Sequence, residues 1–460
     1  MLTSFLEHTR CPEATITRLL TERRAGTEVD TDISGGSANG GSIIKTDSAF
    51  SPMELLAKVQ RSTIADAESI TSLSEFDDAI SVLRLEQYVD SSLSSISQRG
   101  LKSLIRQCYY LMRPLFPVYF RKYLQRIALR GWDSIPFPAW PVDLTTEKLM
   151  EAIWHLLLMS QDLKELPFIW FWPEGRSSCC IMTHDVETLV GRDFCKTMMA
   201  MEKRHGITSA FDVIPEERYA VPDDFLQEIV DSGFEVCVHG LNHDGHLFSS
   251  EAIFLQRAEK INAYAKSWGA LGFRSPVMYR NLAWLNGLHF SYDMSVPNVA
   301  HLDPQRGGCC TVMPYFIGDI LELPLTTTQD YTLFHILQQR SLDLWMKQVA
   351  LIRQKHGLIS FIIHPDYVNE QWSSNLYDTL LAYLAELRSD HAVWIALPRE
   401  VDAWWRARRA MQLTHQDGTW KISGPQSERA RVAYACLRDG RVVYSFDQVN
   451  AVASGEERSF

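Results

Sequence analysis

The sequence predicts an α/β fold in which a parallel sheet or barrel follows a mostly helical N-terminal region. Three observations lead there. Apolar runs of strand length alternate with helical segments after about residue 173; before that, apolar residues recur at helical spacing; and ionisable side chains stand where several of the apolar runs stop.

The 460 residues, 46% of them hydrophobic, suffice for two or three domains with a sizeable core. Residues 1–165 are read as the helical region. Within it, SGGSANGGS at 34–42 is too small and polar to hold itself rigid and reads as a loop. From 52 to 161 the spacing is helical, as in LEQYVDSSLSSISQRGLKSLIRQ. Residues 99–130 carry eight Arg or Lys and no Asp or Glu, interleaved with Tyr, Phe and Leu. Such a segment is a solvated helix face, or a peripheral contact with an anionic membrane, although Pro114 and Pro117 interrupt a continuous amphipathic helix.

Strand-length runs then follow in order: SSCCIMT, GITSAFDVI, GFEVCVHG, ALGFRS, GDILELPLT, LISFIIH and HAVWIALP. Helical segments such as FLQEIVDSG and FLQRAEKINAYAKSW lie between them. This region is bounded at 166–412. Residues 413–460 form a small β tail, in which Asp439-Gly440 between VAYACLR and RVVYSF marks a hairpin.

Composition excludes several classes. A formal net charge of -11 argues against a nucleic-acid surface. The nine cysteines include the pairs Cys179-Cys180 and Cys309-Cys310 but no CxxC, which disfavours a structural zinc site or disulfide scaffold and suits a reducing compartment. The N-terminal MLTSFLEHTRCPEATITRLL lacks the uninterrupted apolar core of a signal peptide, and the longest apolar runs fall short of the ~18 residues that span a bilayer. The expected location is cytoplasmic.

The chemistry gathers at the run ends. Asp185 and Glu187, two apart on an extended chain, face one side together, with His184 turned away. Two carboxylates in one site repel unless a proton or cation separates them. In VHGLNHDGH, His239 and His243 are four apart, as on one face of a helical turn, and two imidazoles with one carboxylate make a catalytic site for a divalent ion. A polar loop with hydrogen-bonded histidines would show the same spacing. Arg274 and His364 end two further runs. In α/β barrels such C-terminal strand ends converge on one pocket.

In THDVE (183–187), HGLNH (239–243), FRSPVMY (273–279), YDMSVP (292–297) and LISFIIHPDY (358–367), taken in that order, the chain resembles the polysaccharide deacetylase family, the NodB homology or carbohydrate esterase family 4 domain, over roughly 166–412. The resemblance implies a distorted (β/α) barrel of the NodB type. It also implies a divalent metal ion, zinc or else cobalt or nickel, held by Glu187, His239 and His243. Asp185 would be the general base, held by Arg274; His364, oriented by Asp293, would be the general acid; and a backbone N–H near Tyr279 would face the oxyanion. His246 and Asp244 touch substrate or hydrogen-bond within their loop, Tyr279 is a candidate substrate contact, Trp284, Tyr292 and Tyr315 pack in the core or else form a sugar-stacking wall, and Asp303 is a rival to Asp293.

Three departures stand out. Gly240 replaces the family's hydroxyl residue, His184 its usual aromatic, and Glu187 its aspartate ligand. The extra methylene moves the Glu187 carboxylate about 1.5 Å further out. Either the metal sits differently, or Asp185 is the ligand and the base lies elsewhere, or the site is degenerate. The expected function is removal of an N-acyl, chiefly acetyl, group from an amino sugar, a precursor in cell-surface polysaccharide or lipopolysaccharide assembly. The alternatives are a non-catalytic glycan-binding scaffold and a hydrolase of non-sugar amides.

Overall fold

A computed structural model describes residues 2–27, 70–92, 127, 129–160, 163–389 and 392–446. The Gly/Ser-rich stretch at 34–42 lies outside the described residues, as does nearly all of the basic segment 99–130. The chain divides into two compact units, neither continuous in sequence: Met1–Leu83 with Thr145–Phe171 and Ala407–Phe460, and Arg84–Leu144 with Trp172–Arg406.

In the first unit, helices Thr3–Thr9, Glu13–Thr27, Ile70–Arg84 and Thr145–Ser160 precede strand β1 (Leu166–Ile169). The second unit carries β2 (Ser178–Val186), β3 (Ala210–Val213), β4 (Glu235–His239), β5 (Gly272–Arg274), β6 (Tyr292–Asp293), β7 (Tyr315–Ile317), β8 (Ile320–Glu322), β9 (Leu358–Ile362) and β10 (Val393–Ile395). The chain then returns to the first unit for β11 (Gln412–Gln416), β12 (Thr419–Ser423), β13 (Val432–Arg438) and β14 (Arg441–Ser445).

β1 pairs antiparallel with β13, and β13 with β14 across the Asp439-Gly440 turn. Both turn residues have positive φ, 50° and 73°, the geometry that lets a two-residue hairpin follow the strand twist. Trp154 of helix Thr145–Ser160 and Phe168 of β1 are fully buried, their rings 5.4 Å apart.

The second unit is built on a curled, largely parallel sheet in the order β10-β2-β3-β4-β5-β6-β8-β7, with β9 on the other side of β2 and only β7 antiparallel. β2 is buried at every position, and from Cys179 to Met182 its sequence accordingly runs apolar on both faces before the polar Thr183, His184 and Asp185. Its partners divide its length: β10 pairs with Ser178 to Cys180 and β3 with Thr183 to Val186. After β8 the chain closes the curl against β9 largely through hydroxyls. Thr326 Oγ1 donates to Leu358 O at 2.8 Å and Thr327 Oγ1 to Ser360 O at 2.7 Å. The result is a distorted barrel whose strand ends β2, β4, β5 and β9 converge at one end.

The helices that cover this sheet begin where their caps allow. Thr188 Oγ1 accepts from Gly191 N ahead of helix Leu189–Arg204, and Ser250 Oγ from Ile253 N ahead of Glu251–Trp268, whose end is set by Gly269 at φ 65°. The short β6 and β7 escape sequence reading because two or three residues show no periodicity.

Candidate functional site

The end of β2 sends alternate side chains to opposite faces. Thr183 and Asp185 face Arg274, each accepting from its Nη1 at 2.7 Å. His184 points the other way, fully buried. Its Nδ1 donates to Ile363 O at 2.8 Å and its Nε2 shares a proton with Glu202 Oε1 at 2.7 Å. Glu202 is also held by Ser209 Oγ at 2.7 Å and by the Tyr377 hydroxyl. His184 therefore supports the site from behind.

Glu187 follows β2 and is fixed through its backbone. Its N–H donates to Asp366 Oδ2 at 3.3 Å and its carbonyl accepts from Arg218 Nε at 3.1 Å. Asp366 also takes the Thr188 hydroxyl, and it comes so near that a Cβ at Gly191 would lie 2.3 Å from it. The Glu187 carboxylate turns to His243, with Oε1 2.8 Å from Nε2.

His239 ends β4, but His243 does not lie on a helical turn with it, as the four-residue spacing suggested. The chain instead bends through Gly240 (φ 62°), and His243 itself has φ 54°. A Cβ at Gly240 would lie 2.4 Å from Pro276 Cγ, which explains why a hydroxyl residue is absent there. The bend brings the His239 and His243 rings to 5.1 Å.

Ligand atoms of Glu187, His239 and His243 lie within 4.8 Å of one another, and these residues fit a divalent ion. His239 Nδ1 faces Arg274 O at 3.2 Å and must donate to it, so Nε2 carries the lone pair. That buried Nε2 has no hydrogen-bond partner among the described residues. Burial pushes the His239 imidazole down to about 4, keeping it neutral near pH 7 as a ligand must be.

Arg274 is fully buried, with Nε donating to Met294 O at 3.1 Å. Burial alone would raise the Asp185 carboxyl, yet the guanidinium and the nearby His239 and His364 hold it below the ordinary range. A second carboxyl, Asp212, lies 3.3 Å from Arg274 Nη1, and burial pushes it well above the ordinary value. Asp185, in the shorter contact at 2.7 Å, is the nearer partner of the guanidinium.

His364 stands just beyond β9, with Nε2 3.7 Å from Glu187 Oε1 and 4.0 Å from Asp185 Oδ2. The carboxylate that orients it is Asp330, not Asp293. Asp330 accepts from His364 N at 2.7 Å and from Nδ1 at 2.6 Å. Burial lowers His364, but Asp330 first, then Glu187 and Asp185, outweigh it and lift the imidazole to about 10. Asp293 instead accepts from Ser295 Oγ at 2.5 Å and lies against Glu322 inside the barrel. Asp303, the sequence's other option, accepts from Gln329 Nε2 at 3.2 Å. Asp330 escaped notice because it ends the polar TTTQD stretch, past the apolar part of its run.

Of the remaining expected contacts, Tyr279 lines a small cavity with His243, Leu241, Leu247 and Pro276. Its own N–H is turned to Pro276 O at 3.3 Å. His246 is exposed, its N–H on Asp244 Oδ1 and its ring on Ser249, while Asp244 is paired with Arg257. Trp284, Tyr292 and Tyr315 take the core-packing alternative and form no sugar-stacking wall. Tyr292 and Tyr315 are buried at 0% and 3% exposure, and Trp284 stacks on Phe248 and lies tilted against Phe254.

No protein-family model matches the chain, and no curated protein matches it significantly. Among solved structures it is similar to a Mycobacterium smegmatis protein described as a polysaccharide deacetylase, at 16% identity over 54% of this chain and 96% of that one, TM-score 0.42. It is also similar to PuuE allantoinase, at 14% over 51% and 92%, TM-score 0.40. A third likeness is to the Bacillus subtilis peptidoglycan deacetylase PdaC, at 14% over 51% and 94%, TM-score 0.34. The sheet itself is curled and largely parallel.

Proposed function

We propose that the chain is a metal-dependent hydrolase that removes an N-acyl group, chiefly acetyl, from an amino sugar. One observation carries the reading: beside the Glu187, His239 and His243 cluster stand a carboxylate held ionised by Arg274 and an imidazole held protonated by Asp330.

Glu187, His239 and His243 would hold a divalent ion, zinc by preference and cobalt or nickel otherwise, and the ion supplies Lewis acidity toward the acyl carbonyl. Asp185 has one oxygen committed to Arg274 and the other, Oδ2, facing the cluster. Oδ2 takes the proton from the attacking water as the water's oxygen bonds to the acyl carbon. His364 then gives its Nε2 proton to the nitrogen as the C–N bond breaks. An amine leaves poorly as an anion, so a fixed proton donor suits amide cleavage more than ester cleavage.

The described cysteines are free, buried thiols, which supports a reducing compartment and hence a substrate met before export, such as a nucleotide-linked or lipid-linked sugar. No helix among the described residues is long and apolar enough to cross a membrane.

The test is metal content and acetate release together. The purified protein should bind about one divalent ion per chain, lose it in a His239→Ala/His243→Ala double variant, and release acetate from an N-acetylated amino sugar except as Asp185→Asn. No ion in either protein, even after incubation with zinc, cobalt or nickel, refutes the hydrolase and leaves a glycan-binding scaffold. A bound ion with turnover of linear or cyclic non-sugar amides alone assigns the chemistry but refutes the sugar.

A further inference from the structure

The steps above leave unused a group of aromatic side chains beside the proton donor. Directly after Asp330 and Tyr331 the chain makes a π-helical turn, Thr332–Ile336, a widened geometry that recurs at functional sites. Tyr331 and His335 meet edge to face with ring centroids 5.3 Å apart, and both meet Tyr367, Tyr331 tilted at 5.5 Å and His335 edge to face at 5.1 Å. The Tyr367 ring in turn lies 5.0 Å from that of His364. All three are partly exposed.

Their place follows from the reaction. The nitrogen that accepts the proton must lie against His364 Nε2, while the acyl carbon lies toward Glu187, His239 and His243. Whatever the nitrogen carries is then directed past the His364 ring toward Tyr367, and through Tyr367 toward Tyr331 and His335. A pyranose ring presents a face of C–H groups that packs on the electron-rich face of an aromatic ring, with hydroxyls left at its edge. An acyclic amine offers no such face.

We propose that Tyr331, His335 and Tyr367 form the platform on which the ring of the departing amino sugar lies, an assignment that rests on the hydrolase reading above. The platform selects for ring-bearing amines.

The experiment uses the zinc-loaded full chain and compares kcat/KM for N-acetylglucosamine with that for ethyl acetate, which has the same acyl group and no ring. In Tyr331→Ala the ratio of the two should fall about tenfold, the upper range for an aromatic contact, and mainly through KM. Tyr331→Phe should restore it. His335→Ala, on the same turn, gives a second variant if the first does not fold. A ratio unchanged in folded variants overturns the platform and leaves the deacetylase reading standing. Binding of glucosamine, followed by saturation-transfer NMR, separates the opposite case. Glucosamine held by the wild type and weakened in Tyr331→Ala supports the platform even if no acetate is released, a result that would sink the deacetylase reading alone. Glucosamine binding equally to both proteins, or to neither, overturns the platform.

Discussion

Asp330→Asn should reduce turnover without removing the metal. Asp330 uses both oxygens on His364, one on the backbone N–H at 2.7 Å and one on Nδ1–H at 2.6 Å. An asparagine of the same shape has one acceptor. If it serves the backbone N–H, its NH2 group faces Nδ1, and two donors meet unless His364 gives up a proton. The doubly protonated ring, which Asp330 sustains to about 10, is then disfavoured. A hydrogen bond to a charged group contributes about 1.5–3 kcal/mol, so kcat should drop about 10- to 150-fold. Metal content should stay near one ion per chain, because Asp330 is not one of the three clustered ligands. Asp293→Asn is the control. Its carboxyl serves Ser295 and Glu322, so kcat should change by no more than about threefold. The assay is acetate release with metal analysis on the same samples. A drop in Asp293→Asn matching that in Asp330→Asn, or Asp330→Asn within threefold of wild type, would refute this account of the proton donor.

Two further predictions concern stability. Burial raises the Glu235 carboxyl from 4.5 to about 7, against the opposing bonds from Tyr292 OH and Arg399 N. The native state therefore keeps a proton that the unfolded chain has lost between those values, so this contribution is fully present below 4.5 and is lost as pH rises through about 7. Its size is about 3 kcal/mol. Glu235→Gln should flatten the fall in urea midpoint between about pH 5 and 8; parallel slopes in the two proteins would contradict it. His184→Phe, which restores the family's aromatic, strips a fully buried carboxyl of its imidazole and leaves Glu202 to Ser209 and Tyr377. Breaking such a pair costs about 3–5 kcal/mol in unfolding free energy, and a loss below about 1 kcal/mol would show that Glu202 is satisfied without it.

Much of the barrel was legible as sequence because a strand buried on both faces needs an uninterrupted apolar run. SSCCIMT, GFEVCVHG and LISFIIH became β2, β4 and β9, and the ionisable residues at their ends fall at one end of the sheet. Local pattern also set the Asp439-Gly440 hairpin and turned His184 away from Asp185. These are consequences of period and turn chemistry, which act over a few residues.

Other features depend on which distant segments meet, and period carries no information about that. His364 takes Asp330, 34 positions earlier, because the chain after β8 closes on β9; nothing in the Asp293 or Asp303 stretches distinguishes them from it locally. β1 leaves the barrel to pair with β13, more than two hundred residues on, although it sits next to β2 in sequence. Tyr292 and Tyr315 fill the core while Tyr331 and Tyr367 are partly exposed and Tyr367 packs beside His364, a difference of burial between residues of the same type. Residue type and spacing determined which groups could do chemistry here. Closure of the sheet, through long-range pairing and packing, decided which of them stand within reach of one another.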